Sequence, residues 1–108
     1  MLLEAAPEKK LVLEGDYSNR VSALSPSSVS LLSRLGAWQT ISQARLGRVS
    51  QMKVWDSCSR AAIVFRSQDN LYTRDTPLNY IVENDLTVSA LTEVMKVGVP
   101  TLSFLFYC

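Results

Sequence analysis

The run "YIVENDLTVSAL", Tyr80 to Leu91, passes from an apolar stretch of strand composition through Glu83-Asn84-Asp85 straight into a helix-forming segment. No glycine or proline separates the two halves, so the backbone has to change from extended to helical within three polar residues. A strand that hands over directly to a helix belongs to an α/β protein. The junction also leaves the first N–H groups of the helix without partners and presents the positive end of its dipole. Such a place suits either a capping side chain or an anionic ligand. Asn84 and Asp85 are both good capping types, so the residues alone leave the two readings open.

Beyond the junction, Leu86, Ala90 and Val94 recur at i, i+4, with Val88, Leu91 and Met95 beside them, before Gly98 and Pro100. This pattern predicts an amphipathic helix from about Asp85 to Lys96. An earlier segment is punctuated still more clearly. Ser25 is a good N-cap, Pro26 suits the first helical position, and Gly36 can close the helix in the left-handed conformation. Val29, Leu32 and Leu35 are expected to face the core. Trp38 to Arg45 reads as a second short helix that Gly47 interrupts. "QMKVWD" and "AAIVFRS" have strand composition and are separated by the polar Ser57 to Arg60, which predicts a hairpin. Glu8 to Asn19, with Gly15-Asp16 as a turn, and Ser67 to Asn79, with Pro77 as a stop, read as loops. "LLEAAP" resembles the carboxyl end of a strand, and the uncharged tail "VGVPTLSFLFYC" reads as one more strand.

Bulk properties narrow the function classes. A chain of 108 residues with 47% hydrophobic content builds one modest globular domain. Its formal charge of +1, without blocks of like charge, gives no nucleic-acid footprint. Histidine is absent, which removes the commonest general base and metal ligand, and Cys58 and Cys108 are too few for a zinc site. They read as free thiols. No apolar run reaches the roughly 20 residues of a membrane span. Glu4 and Glu8 precede any arginine, unlike an import sequence.

The order of the pieces is more specific than any one of them. "LLEAAP", "YSNRVSALSPSSVSLLSRLGAW", "MKVWD" and "YIVENDLTVSALTEVM" follow one another as in the mitochondrial ubiquinone-biosynthesis flavin monooxygenases, within the wider aromatic-hydroxylase family typified by p-hydroxybenzoate hydroxylase. The chain resembles the ring C5-hydroxylase type most, from about Leu2 to Met95.

The resemblance implies a partial FAD-binding, Rossmann-like α/β fold over residues 1–96, with residues 97–108 an apolar tail unlike the family. It implies FAD as cofactor and three cofactor-binding residues. Glu4 would hold the adenosine ribose, Arg20 the phosphate-bearing chain, and Asn84 the region of the pyrophosphate and ribityl. A carboxylate accepts from ribose hydroxyls and a guanidinium meets phosphate, which accounts for the residue types. The implied partners are a polyprenylated hydroxybenzoate substrate, an electron-donating reductase system and other ubiquinone-biosynthesis proteins. The implied location is mitochondrial, on the matrix side of the inner membrane.

The first strand and the Gly-rich G-x-G-x-x-G turn of the family have no counterpart in this sequence, so the chain reads as a truncated fragment. Weak or absent FAD binding by the chain alone is the corresponding expectation. A non-catalytic α/β interaction module that binds no flavin is the alternative.

Overall fold

A computed structural model describes residues 3–4, 7, 15–69, 76–98 and 105–106. Among these residues the chain is a mixed α/β structure with three small sheets. The largest sheet has the order β2-β6-β3, where β2 is Val21–Leu24, β3 is Gly47–Val49 and β6 is Asn79–Glu83. Both outer strands run antiparallel to β6, with Val21 opposite Glu83 on one side and Gly47 opposite Ile81 on the other. A hairpin of β4 (Gln51–Trp55) and β5 (Ala62–Arg66) forms the second sheet. In the third, β1 (Leu3–Glu4) pairs in parallel with β7 (Leu105–Phe106). Parallel pairing among the described residues is confined to β1 and β7, whereas a Rossmann-like sheet is built from parallel strands.

Three helices cover one face of the central sheet. Helix α1 (Pro26–Leu35) begins as its sequence predicts, with Ser25 accepting from the Ser28 N–H and Pro26 at its start. It ends at Gly36, whose φ of 85° lies in the left-handed region where a Cβ is strained. The Ala37 N–H then bonds back to the Leu32 carbonyl. Helix α2 (Trp38–Ala44) follows at once, and α3 (Asn84–Gly98) leaves directly from β6.

The core is made by Leu32, Ala37, Ile41, Val82, Leu86 and Ala90, with Leu24, Trp38, Tyr80, Leu91 and Val94 packed around it. Trp38 meets Tyr80 edge to face at 5.1 Å. Strand alternation puts Tyr80 and Val82 on this face of β6 and Ile81 and Glu83 on the other.

Two expected core positions are exposed instead, Leu35 and Val88. At about 100° per residue, each three-residue step from Val29 to Leu35 falls short of a full turn by about 60°. Leu32 therefore sits at the centre of the buried stripe, and Leu35 has rotated out of it. Val88 lies about 160° round α3 from Leu86, on the opposite side. The Ser67–Asp69 segment of one expected loop is a short 3-10 helix. The remainder of that loop to Asp75, most of the Glu8 to Asn19 loop, and Cys108 lie outside the described residues. Among the described residues no helix is long and apolar enough to cross a membrane.

Candidate functional site

The register of β2 against β6 brings Arg20 and Asn84 together. Arg20 stands just before β2, Asn84 opens α3 just after β6, and the Asn84 N–H donates to the Arg20 carbonyl at 3.0 Å. The Asn84 Oδ1 accepts from Ser22 Oγ at 2.6 Å. Asn84 thus ties its side chain to the neighbouring strand, and what it has left to offer is its amide NH₂, a donor. The helix begins one residue before the expected start, with Asn84 as its first residue and Asp85 in its first turn. Arg20 is exposed, and among the described residues its guanidinium has no ion-pair partner. Glu4 is not part of this corner's sheet. It closes β1, opposite Phe106 of β7.

The strongest polar feature at the corner is Glu83, part of the polar junction but not among the expected cofactor-binding residues. Glu83 is only 5% exposed. Its carboxylate receives Arg45 in a forked contact, Nε to Oε2 at 2.6 Å and Nη2 to Oε1 at 3.1 Å. Oε1 also accepts the Ser18 N–H at 2.5 Å. Arg45 donates further, from Nη1 to the Gly15 carbonyl at 3.3 Å, and its guanidinium lies 4.5 Å from the centre of the Tyr17 ring. The Ser18 N–H foremost, and then the Arg45 guanidinium, hold the Glu83 carboxyl below its ordinary range against the opposing effect of burial. The one sequence signal was a charged residue closing an apolar strand. Its partner lies 38 positions away and carries no local signature.

These contacts bear on what the corner can hold. The Glu83 charge is compensated by Arg45, so it does not set a bare negative charge beside the start of α3. Arg20, the Asn84 amide and the helix N-terminus are donors or positive ends, and they fit a phosphate-bearing group. Asp85 opposes them in part, since a carboxylate in the first turn competes for the same dipole.

Over nearly nine-tenths of its residues the chain is homologous to monooxygenases of ubiquinone biosynthesis. It is 48% identical over 97 residues to the mitochondrial ubiquinone biosynthesis monooxygenase of Mus musculus, an alignment covering 89% of this chain and 19% of that protein. The corresponding Homo sapiens protein is 47% identical over 97 residues, covering 89% and 20%. A more distant relative, the 3-demethoxyubiquinol 3-hydroxylase of Escherichia coli (strain K12), is 30% identical over 95 residues, covering 88% and 23%. The chain therefore spans about a fifth of the length of the curated relatives it matches. No family model matches it.

Proposed function

We propose that this chain is the part of an FAD-dependent ubiquinone-biosynthesis monooxygenase that carries one side of the cofactor site, within residues 1–96 of a partial Rossmann-like unit. Residues 97–108 are a tail unlike the family in sequence, although α3 runs to Gly98 and β7 pairs with β1. The reaction it serves is hydroxylation of a polyprenylated hydroxybenzoate, in mitochondria on the matrix side of the inner membrane. Electrons come from a reductase system, and other proteins of the pathway are partners. The observation that carries this reading is the meeting of Arg20 and Asn84 at the start of α3, in a chain 48% identical to such an enzyme.

When bound, FAD supplies the redox chemistry by which one atom of molecular oxygen is transferred to an electron-rich ring. The chain's residues supply position and charge. Arg20 neutralises phosphate, the Asn84 amide donates to the sugar-phosphate chain, and the α3 N-terminus favours negative charge. Glu4, at the end of β1, is the candidate acceptor for the ribose hydroxyls. None of these side chains has to exchange a proton with substrate, which agrees with a sequence lacking histidine.

A chimera tests the reading. The matching segment of the Mus musculus enzyme is replaced by this chain's, and flavin content and FAD affinity are measured with and without Arg20→Met. A chimera that binds FAD stoichiometrically and loses about tenfold or more in affinity with Arg20→Met is the expected result. Unchanged affinity would remove Arg20 from the site. A second reading, an interaction module without flavin, draws on the exposed apolar face of the β4–β5 hairpin. It predicts self-association of the isolated chain and a chimera without flavin.

A further inference from the structure

Among the described residues, the loop before β2 is fastened to the end of β6 through the Arg45–Glu83 ion pair. Glu83 accepts the Ser18 N–H while it pairs with Arg45, and Arg45 reaches past Glu83 to the Gly15 carbonyl and lies over Tyr17. The contacts continue toward the corner. Ser18 Oγ accepts the Arg20 N–H at 3.2 Å, and the Arg20 carbonyl accepts the Asn84 N–H. Each member of the pair thus has a second task that a simple salt bridge does not require. One accepts from backbone and the other donates to it. A guanidinium suits this, because its fixed fork serves a carboxylate and a carbonyl together, which a single ammonium cannot do with the same geometry.

We propose that the Arg45–Glu83 pair is a positioning latch, which holds the Gly15–Ser18 loop against the end of β6 and so fixes where Arg20 meets the start of α3. What the latch serves rests on the cofactor reading above. Its existence does not, and it is tested without flavin. Glu83 is nearly buried and the Arg45 side chain is 17% exposed, so the pair is shielded from solvent enough to hold one geometry. Gly15, Asp16, Tyr17 and Asn19 are exposed, and Ser18 is half-buried.

Amide hydrogen exchange followed by NMR on the full 108-residue chain reads the latch residue by residue. In Arg45→Met the Ser18 and Asn84 amides are expected to exchange at least about tenfold faster, while amides at the centre of the β2–β6 pairing keep their protection. Arg45→Lys restores part of it. The exchanged pair Arg45→Glu with Glu83→Arg separates a latch from a mere salt bridge. It can re-form the ion pair, and with it thermal stability, but Arg at position 83 cannot accept the Ser18 N–H and Glu at position 45 cannot donate to Gly15. Its loop amides are therefore expected to stay fast. Should Arg45→Met fail to fold, Tyr17→Ala at an exposed position replaces it, with a rise of about threefold at Ser18 expected. Loop protection unchanged in the folded single variant, or fully restored in the exchanged pair, overturns the proposal.

Discussion

The helix-covered sheet and the β4–β5 hairpin draw on the same apolar residue types, yet they use them differently. Val82 on β6 is 1% exposed and Ile41 on α2 is fully buried, whereas Val54 and Ile63 on the hairpin are 50% and 60% exposed. The hairpin is not irregular. Met52 stands opposite Phe65 and Val54 opposite Ile63, so these four side chains share one face, and all four are exposed. Gln51, Lys53, Trp55, Ala62, Val64 and Arg66 lie on the other face, three of them apolar in addition to three polar ones. The hairpin therefore carries apolar residues on both faces, and all of its strand residues except the half-buried Val64 are exposed among the described residues. It is held where its strands leave the central sheet, through the Ser67 N–H to the Ser50 carbonyl and the Leu78 N–H to the Val49 carbonyl. A two-stranded hairpin is marginal alone, so its order depends on that attachment. Strand composition says that the segments pair. It does not say what covers them.

The largest expected effect lies on the buried side of this comparison. Leu86 is fully buried in the core, at the point where α3 leaves β6. Leu86→Ala should cost about 2–5 kcal/mol through lost burial and the cavity left behind. Small domains have only about 5–15 kcal/mol in all, so chemical denaturation should show a much earlier midpoint or no cooperative transition. A loss below about 1 kcal/mol would mean that this core is no better packed than the hairpin.

The next effect concerns acid. The Glu83 carboxyl titrates below its ordinary value of 4.5 in the folded chain. A depressed folded value contributes stability that is complete above the unfolded value and is lost as pH falls through the folded one. Unfolding midpoints should therefore decline as pH is lowered through 4.5 and below, and Glu83→Gln should flatten that decline while lowering stability at neutral pH. An identical slope in the variant would place the acid sensitivity elsewhere. Asp56 in the hairpin turn is also held low, by the Cys58 N–H first and the Ser59 hydroxyl next. Its exposed position makes it the weaker contributor.

A third, smaller effect belongs to a feature wholly legible in sequence. Ser25→Ala removes the cap of α1 and should cost about 1 kcal/mol, measured by denaturant unfolding. No change would show that the neighbouring serines take over, since Ser25 Oγ lies 2.9 Å from Ser27 Oγ and 3.1 Å from Ser28 Oγ.

What could be read from sequence divides along the range of the interaction concerned. The Ser25 cap, Pro26, the Gly36 stop and the hairpin are decided by residues within a few positions of one another, and the structure has them as expected. Strands β2 and β3 were not legible. They are only four and three residues long, and both exist through pairing with β6 much further along the chain. The candidate corner was legible only through resemblance. Arg20 and Asn84 have no local pattern that joins them, and the β2–β6 register does so. Glu83 escaped notice because a glutamate beside Asn84 and Asp85 looks like one more solvated polar residue. Its burial depends on Arg45 and on a backbone N–H of the loop before β2.

The smallest expected change in stability falls on the hairpin, where it says most about the comparison. Ile63→Thr with Phe65→Thr removes much of the exposed apolar face while keeping β-branched residues that suit a strand. Side chains already in water lose little on becoming polar, so the unfolding free energy should shift by no more than about 0.5 kcal/mol. Association should change far more. An exposed apolar sheet face without a charged residue on it is a surface for non-specific contact with other chains. The double variant should therefore elute closer to monomer size on size-exclusion chromatography and stay soluble at higher concentration. If it instead lost about 2 kcal/mol or more, the face would be covered within the chain, and the hairpin would be a second part of the core.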